Sequence, residues 1–262
     1  MEPKAKIDTT VPHSARVWNF LLGGTDNFPV DRRAGERVIA TFRGMVDMAQ
    51  QSRQMLRRVV RYLAGEAGIE QFLDIGTGLP TVDNTHEVAQ RLVPHARIVY
   101  VDNDPLVLTH ARALLTSTPE GATDYIEADV HDPGAILAGA ARTLDYDRPV
   151  ALMLMGILGL VGDFDEARSI VARLTAALPS GSYLAVYDGT DRDPAYTRAI
   201  SAYNAGSGAA PYKPRTPEQI ARYFDGLDLV DPGVVPVTEW RPDPGHENVP
   251  EVSCSGGVAR KP

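Results

Sequence analysis

The stretch Phe72-Leu-Asp-Ile-Gly-Thr-Gly-Leu-Pro80 decides how this chain is read. A short, mostly apolar segment runs straight into a turn holding two glycines, the form of a buried strand that ends in a ligand-facing loop. Glycine at positions 76 and 78 lets the backbone pass close beneath a ligand, where a Cβ would obstruct it. A Gly-x-Gly pair alone also suits many structural turns, so its neighbourhood has to carry the argument.

Downstream, strands and helices alternate. Asn84, with Glu87 three residues on, predicts a capped helix with Val88, Ala89 and Leu92 inward, closed by Pro94. Arg97–Val101 is the next strand, and Asp104-Pro105 supplies the cap and first-turn proline of a helix through Leu115. Strands at Tyr125–Ala128, Val150–Met155 and Tyr183–Tyr187 follow. Helices at Pro133–Arg142 and from an Asp163/Glu166 cap to Leu178 connect them. A helix from Asp193 to Ala205, a Gly/Pro-rich loop at 206–215, a helix opened by Thr216-Pro-Glu-Gln219 and edge strands at 227–230 and 256–260 complete the chain. This alternation predicts a parallel sheet covered on both faces, with right-handed crossovers.

Upstream, residues 1–13 are polar. A helix starts at Ser14 with Ala15, Trp18 and Leu22 in step and stops at Gly23-Gly24. Two more follow, Asp31–Phe42 and Met45–Leu63, the second placing Met48, Met55, Val59 and Leu63 on one core-facing side. The expected plan is a helical cover over 1–68 and one compact α/β unit over 69–262.

With 262 residues, 44% of them hydrophobic, the chain can bury one sizeable core. Its net charge of −8 disfavours a phosphate-backbone partner. The densest basic stretch, Arg53, Arg57, Arg58 and Arg61, reads as a solvated helix face. Cys254 is the single cysteine, so an intramolecular disulfide and a cysteine zinc cluster are excluded and a reducing, cytoplasmic setting is expected, with no metal. The segment Met1–Asp8 lacks the apolar core of a signal peptide, and Val150–Val161 is too short to span a bilayer.

In an open α/β sheet the ligand lies at the carboxyl ends of the strands. Three of those ends are acidic here: Asp74, Asp102 and Asp129. A carboxylate at Asp102 can accept both hydroxyls of a ribose, and Asp129 is placed to bracket a planar base. A dinucleotide would need a third glycine where Thr81 stands, and Asp74 would repel its pyrophosphate. The same carboxylate attracts an α-ammonium, so a ligand of adenine, ribose and an aminoacyl sulfonium tail suits these charges better.

Leu73-Asp-Ile-Gly-Thr-Gly78, Tyr100-Val-Asp-Asn-Asp-Pro105 and Glu127-Ala-Asp-Val130 resemble motifs I to III of class I S-adenosylmethionine-dependent methyltransferases. More narrowly, the chain resembles an actinobacterial S-adenosyl methyltransferase family first catalogued as a domain of unknown function. The resemblance rests on Ala15-Arg-Val-Trp-Asn-Phe-Leu-Leu-Gly-Gly-Thr-Asp-Asn27, Asp31-Arg32, Leu79-Pro-Thr-Val-Asp-Asn-Thr-His86, Trp240-Arg-Pro242 and Gly256-Gly-Val-Ala-Arg260. It implies a Rossmann-like seven-stranded sheet with an N-terminal helical extension, and methyl transfer; the acidic charge makes a small molecule the expected acceptor. It also implies a cofactor site of Asp74, Gly76, Thr77, Gly78, Asp102, Asn103, Asp129, Val130 and Met155. Two departures stand out: Pro80 replaces a further glycine, and Leu154-Met155-Gly156 lacks the polar residue common at that strand end.

Methyl transfer from a sulfonium needs alignment and exclusion of water more than covalent help. Proton acceptors are sought at His86, facing the site or solvent, and at Tyr187 and Asp188, with the amides Asn19, Asn27 and Asn84. Asn19 and Asn27 are expected near the methionine end, on a segment folding over the cofactor as a lid. Loops 206–215 and 241–250 are expected to shape the acceptor pocket. Two rivals remain at this point: an NAD-dependent oxidoreductase, and a cofactor-binding protein without transferase activity.

Overall fold

The computed structural model describes residues 7–114, 116–246 and 249–262. The expectations touching Met1–Lys6, Leu115, Glu247 and Asn248 lie outside the described residues. Strand β1 (Gln71–Ile75) runs parallel between β2 (Arg97–Asp102) and β4 (Ala151–Met155), with Phe72 beside Ile98 on one side and Ala151 on the other. β1 and β4 are buried along their whole length, as strands covered on both faces must be. β3 (Ala122–Glu127) lies outside β2, and β5 (Tyr183–Gly189) outside β4. The strand order therefore reverses between β1 and β4, which opens a crevice at their carboxyl ends.

The far edge corrects the expected seven strands. β8 (Cys254–Arg260) pairs antiparallel with β5, and the lane beyond it holds two short strands, β6 (Asp228–Leu229) and β7 (Val235–Pro236). Among the described residues the sheet thus has eight strands. Asp231-Pro232-Gly233 divides the outer lane, because Pro232 has no N–H to donate and Gly233 turns with φ of 88°.

Helices α1 (Ser14–Leu21), α2 (Pro29–Thr41) and α3 (Met45–Gly65) precede the sheet. α4 (Thr85–Leu92), α5 (Pro105–Leu114), α6 (Pro133–Ala140) and α7 (Phe164–Ala176) connect its parallel strands, while α8 (Pro194–Gly206) and α9 (Pro217–Ala221) follow β5. Met48, Met55, Val59 and Leu63 of α3 pack with Phe72 and Met153 in one core. Burying each such side chain stabilises the fold by about 1.5–3 kcal/mol. On the other sheet face, Leu73, Ile75 and Leu154 pack with Ile136 and Ile170 of α6 and α7. The alternation of β1 puts Asp74 on the same face as Phe72, towards α3.

Two expectations about helix faces fail. Leu92, expected inward, is 48% exposed, since it ends α4 in its last turn. The arginines of α3 form a solvated face only in part: Arg61 is exposed and Arg57 half-buried. Arg58 is buried, with Nε donating to the Trp240 carbonyl at 2.9 Å and Nη2 to that of Val237 at 2.5 Å, and it pins the C-terminal segment. Among the described residues, no helix is long and apolar enough to cross a membrane.

Candidate functional site

The turn after β1 is held against β2, with Gly76 N–H donating to the Val101 carbonyl at 2.8 Å. Gly76 and Gly78 adopt φ of 73° and 68°, the left-handed region open to glycine. A Cβ at Gly76 would also stand 2.6 Å from the Ile157 side chain. Asp102, at the end of β2, ties two loops together. Its Oδ2 accepts from Gly78 N–H and its Oδ1 from Asp104 N–H, both at 2.9 Å. Burial raises the Asp102 pKa, and those two N–H groups oppose the rise. Asp74 accepts from the Thr85 hydroxyl at 2.6 Å, and burial lifts its carboxyl to about 6.

These groups meet in a cavity of about 270 Å³. Asp74, Gly76, Thr77, Gly78, Asp102, Asn103, Asp129, Val130, Met155, Asn19 and Tyr187 all line it. The Asn103 amide donates to Asp129 at 3.0 Å and braces it. Asn27 stands one layer back, where its amide donates to Asn19 Oδ1 and to the Gly24 carbonyl, both at 2.8 Å. Of the two loops expected to shape the pocket, 206–215 contributes Ala210 and Tyr212, while no described residue of 241–250 lines it.

Besides Asn27, three predicted residues fall outside the lining. His86 faces neither the cavity nor solvent. It is buried with Nδ1 2.8 Å from the Tyr100 hydroxyl, and burial lowers its pKa. Asn84 holds the turn after Pro80, donating to the Thr81 carbonyl at 2.6 Å and accepting from Thr81 N–H at 3.0 Å. Asp188 lies behind Tyr212, whose hydroxyl donates to Oδ1 at 2.7 Å.

Burial lifts the Asp188 carboxyl to about 7, against the Tyr212 and Gly159 donors that favour its charge. The folded chain therefore keeps a proton that the unfolded chain sheds near 3.8, and between those values each rise in pH weakens folding. Asp188→Asn has no such proton to lose. Its stability relative to wild type should climb as pH is raised from about 5 to about 8. Thermal unfolding across that range checks this, and a constant difference contradicts it.

Sequence reading missed the contacts that close the cavity. Arg16 of α1 forms a buried fork on Asp104, with Nε to Oδ2 at 2.7 Å and Nη2 to Oδ1 at 3.0 Å. Asp31 accepts from His13 N–H at 2.9 Å and from Phe28 N–H at 2.8 Å, fixing the starts of α1 and α2 together. Arg53 projects from α3 into the cavity wall. Tyr196 and Tyr203 of α8, with Tyr212, add aromatic groups to the cavity lining. The apolar spacing of α1 and the existence of α8 are legible in the sequence; the cavity they face is not.

The family model described as S-adenosyl methyltransferase matches residues 1–262. The chain belongs to this S-adenosyl methyltransferase family. It is 44% identical to a DUF574 family protein of Streptomyces avermitilis, covering 98% of this chain and 100% of that one, with a TM-score of 0.92. A candidate methyltransferase of Thermobifida fusca is 42% identical over 97% of this chain and 96% of its own, with a TM-score of 0.87. An O-methyltransferase family 2 protein of Planctomyces limnophilus, solved with apigenin, shares the fold at 17% identity and a TM-score of 0.51, over 88% and 66% of the two chains. A search of curated proteins found no match. This methyltransferase thus uses S-adenosylmethionine on a class I α/β scaffold.

Proposed function

We propose that the cavity is a methyl-transfer site in which the strand ends hold S-adenosylmethionine and the helices hold a small, largely apolar acceptor. One observation carries this reading. Acidic groups line the cavity at the ends of β1 to β3, whereas the residues from α1, α2, α3 and α8 are apolar or aromatic except for Ser14, Asn19 and Arg53. The residues suit the cofactor. The backbone at Gly78 has open space where a Cβ would project, and Arg53 Nε is a buried donor awaiting an acceptor. When bound, S-adenosylmethionine supplies an electrophilic methyl group on a sulfonium centre.

Asp102 would take the ribose hydroxyls, with Asn103 beside it, and Asp129 and Val130 would flank the adenine. Gly76, Thr77 and Gly78 would underlie the ribose and amino-acid portions, and Met155 the sulfonium side. Asn19, steadied by Asn27, would face the methionine end from above. The segment 1–68 would act as a cover, because Arg16 fastens α1 to the loop that Asp102 also holds. Of His86, Tyr187 and Asp188, Tyr187 alone lines the cavity, and burial raises its pKa. The chain's contribution is therefore alignment of the acceptor and exclusion of water, with His86 and Asp188 acting as structural supports. The acidic net charge and the small volume of the cavity support a small molecule over nucleic acid, and the single cysteine fits a reducing, cytoplasmic setting.

Calorimetric titration with S-adenosylhomocysteine and, separately, NADH tests the proposal. The first should bind and the second should not. NADH binding alone would favour a dehydrogenase.

A further inference from the structure

We propose that Arg53 and Asp74 form a clamp for a zwitterion, Arg53 taking the α-carboxylate of the cofactor's amino-acid end and Asp74 its α-ammonium. The inference rests on the cofactor site proposed above. Arg53 is anchored at one edge only. Its Nη2 donates to the Val82 and Asp83 carbonyls at 3.4 and 3.1 Å and to Asn84 Oδ1 at 3.3 Å. Its Nε is buried without a hydrogen-bond partner. A buried N–H left unpaired is costly, and such groups persist where a ligand completes them.

No carboxylate of the described residues forms an ion pair with Arg53. Asp83 is taken by Arg57 and Arg91, and Asp74 is held by Thr85. Yet Arg53 and Asp74 each favour the other's charged form, and both line the same cavity. Two opposite charges that sense one another without touching leave room for a ligand carrying both complements. A guanidinium edge matches a carboxylate's paired oxygens, and a buried aspartate matches an ammonium. A phosphate or a lone acceptor carboxylate would satisfy Arg53 but meet repulsion from Asp74. An α-amino acid group satisfies both.

The full chain would be titrated calorimetrically with S-adenosylmethionine and with its decarboxylated analogue, which keeps the adenosine, sulfonium and ammonium. Wild type should prefer the complete cofactor by about 10- to 100-fold. Arg53→Gln should abolish that preference while binding the analogue within about twofold of wild type. Asp74→Asn should weaken both ligands. Equal weakening of both by Arg53→Gln would overturn the clamp, showing that the guanidinium only holds the 82–84 loop. Unchanged binding of both would also overturn it. If Arg53→Gln does not fold, the wild-type comparison decides, since absence of a preference refutes the clamp. Wild type that binds neither ligand would instead defeat the cofactor site itself.

Discussion

Arg16→Met is expected to destabilise the fold by about 3–5 kcal/mol and to lower the unfolding midpoint by roughly 10 °C. Asp104 is fully buried and draws two charge-assisted hydrogen bonds from Arg16, besides one from Leu106 N–H at 2.9 Å. Arg16 also donates to the Asp8 carbonyl at 2.6 Å and lies over the Phe28 ring, 5.3 Å from its centroid. The methionine keeps much of the stem's packing but leaves a buried carboxylate with only Leu106 N–H and His13 Nδ1, 3.3 Å from Oδ2, beside it. Desolvation offsets much of what the intact pair gains, so the loss on breaking it exceeds the pair's net worth. Adding Asp104→Asn should therefore recover part of the stability. Urea unfolding of the single and double variants measures both effects. A single variant within about 0.5 kcal/mol of wild type would show that the fork holds nothing.

The same substitution tests the cover. With the fork gone, amides of α1 should exchange faster than those of β1 and β4, through an opening with a weaker dependence on urea. Exchange of α1 with the same rate and urea dependence as β1 and β4 would mean that α1 is integral to the sheet's stability rather than a separable closure.

How far the sequence reveals all this depends on the range of each interaction. β1, β2 and β4 were legible because buried parallel strands need continuous apolar runs. Gly76 and Gly78 were legible because the turn demands a conformation that other residues resist. Asp102 and Asp129 followed once the strand ends were placed. The Asp104-Pro105 start of α5 follows from capping chemistry within three residues, and Leu106 N–H does bond Asp104. Arg16 and Asp104 lie 88 residues apart, and no local pattern records that they meet. Arg53 was misread because helical spacing fixes a stem's direction but leaves open whether the head reaches water or a cavity. His86 was misplaced for a related reason. Its position in the first turn of α4 leaves two directions open, and the Tyr100 hydroxyl that selects one comes from another strand. The divided edge lane escaped because two-residue strands carry no periodicity, although Pro232 and Gly233 were in plain view.

Asp102→Ala bears most directly on the claim that the turn at Phe72–Pro80 serves a nucleoside cofactor. Both Asp102 oxygens accept backbone N–H groups, which shapes the turn at Gly78 and the loop at Asp104. Each oxygen retains a lone pair for a ribose hydroxyl. Alanine removes those acceptors and leaves two backbone donors unpaired, so cofactor affinity should fall by about 1–3 kcal/mol, up to roughly a hundredfold in Kd. Asp102→Asn should fall between, since its single carbonyl oxygen can serve only one of the two backbone N–H groups. The decisive measurement is calorimetric titration of S-adenosylhomocysteine into wild type and Asp102→Ala under one buffer condition. A weakening of that size, with the variant still folded, is the predicted result. Equal affinity in the two proteins would remove Asp102 from the site and contradict the nucleoside reading of the turn.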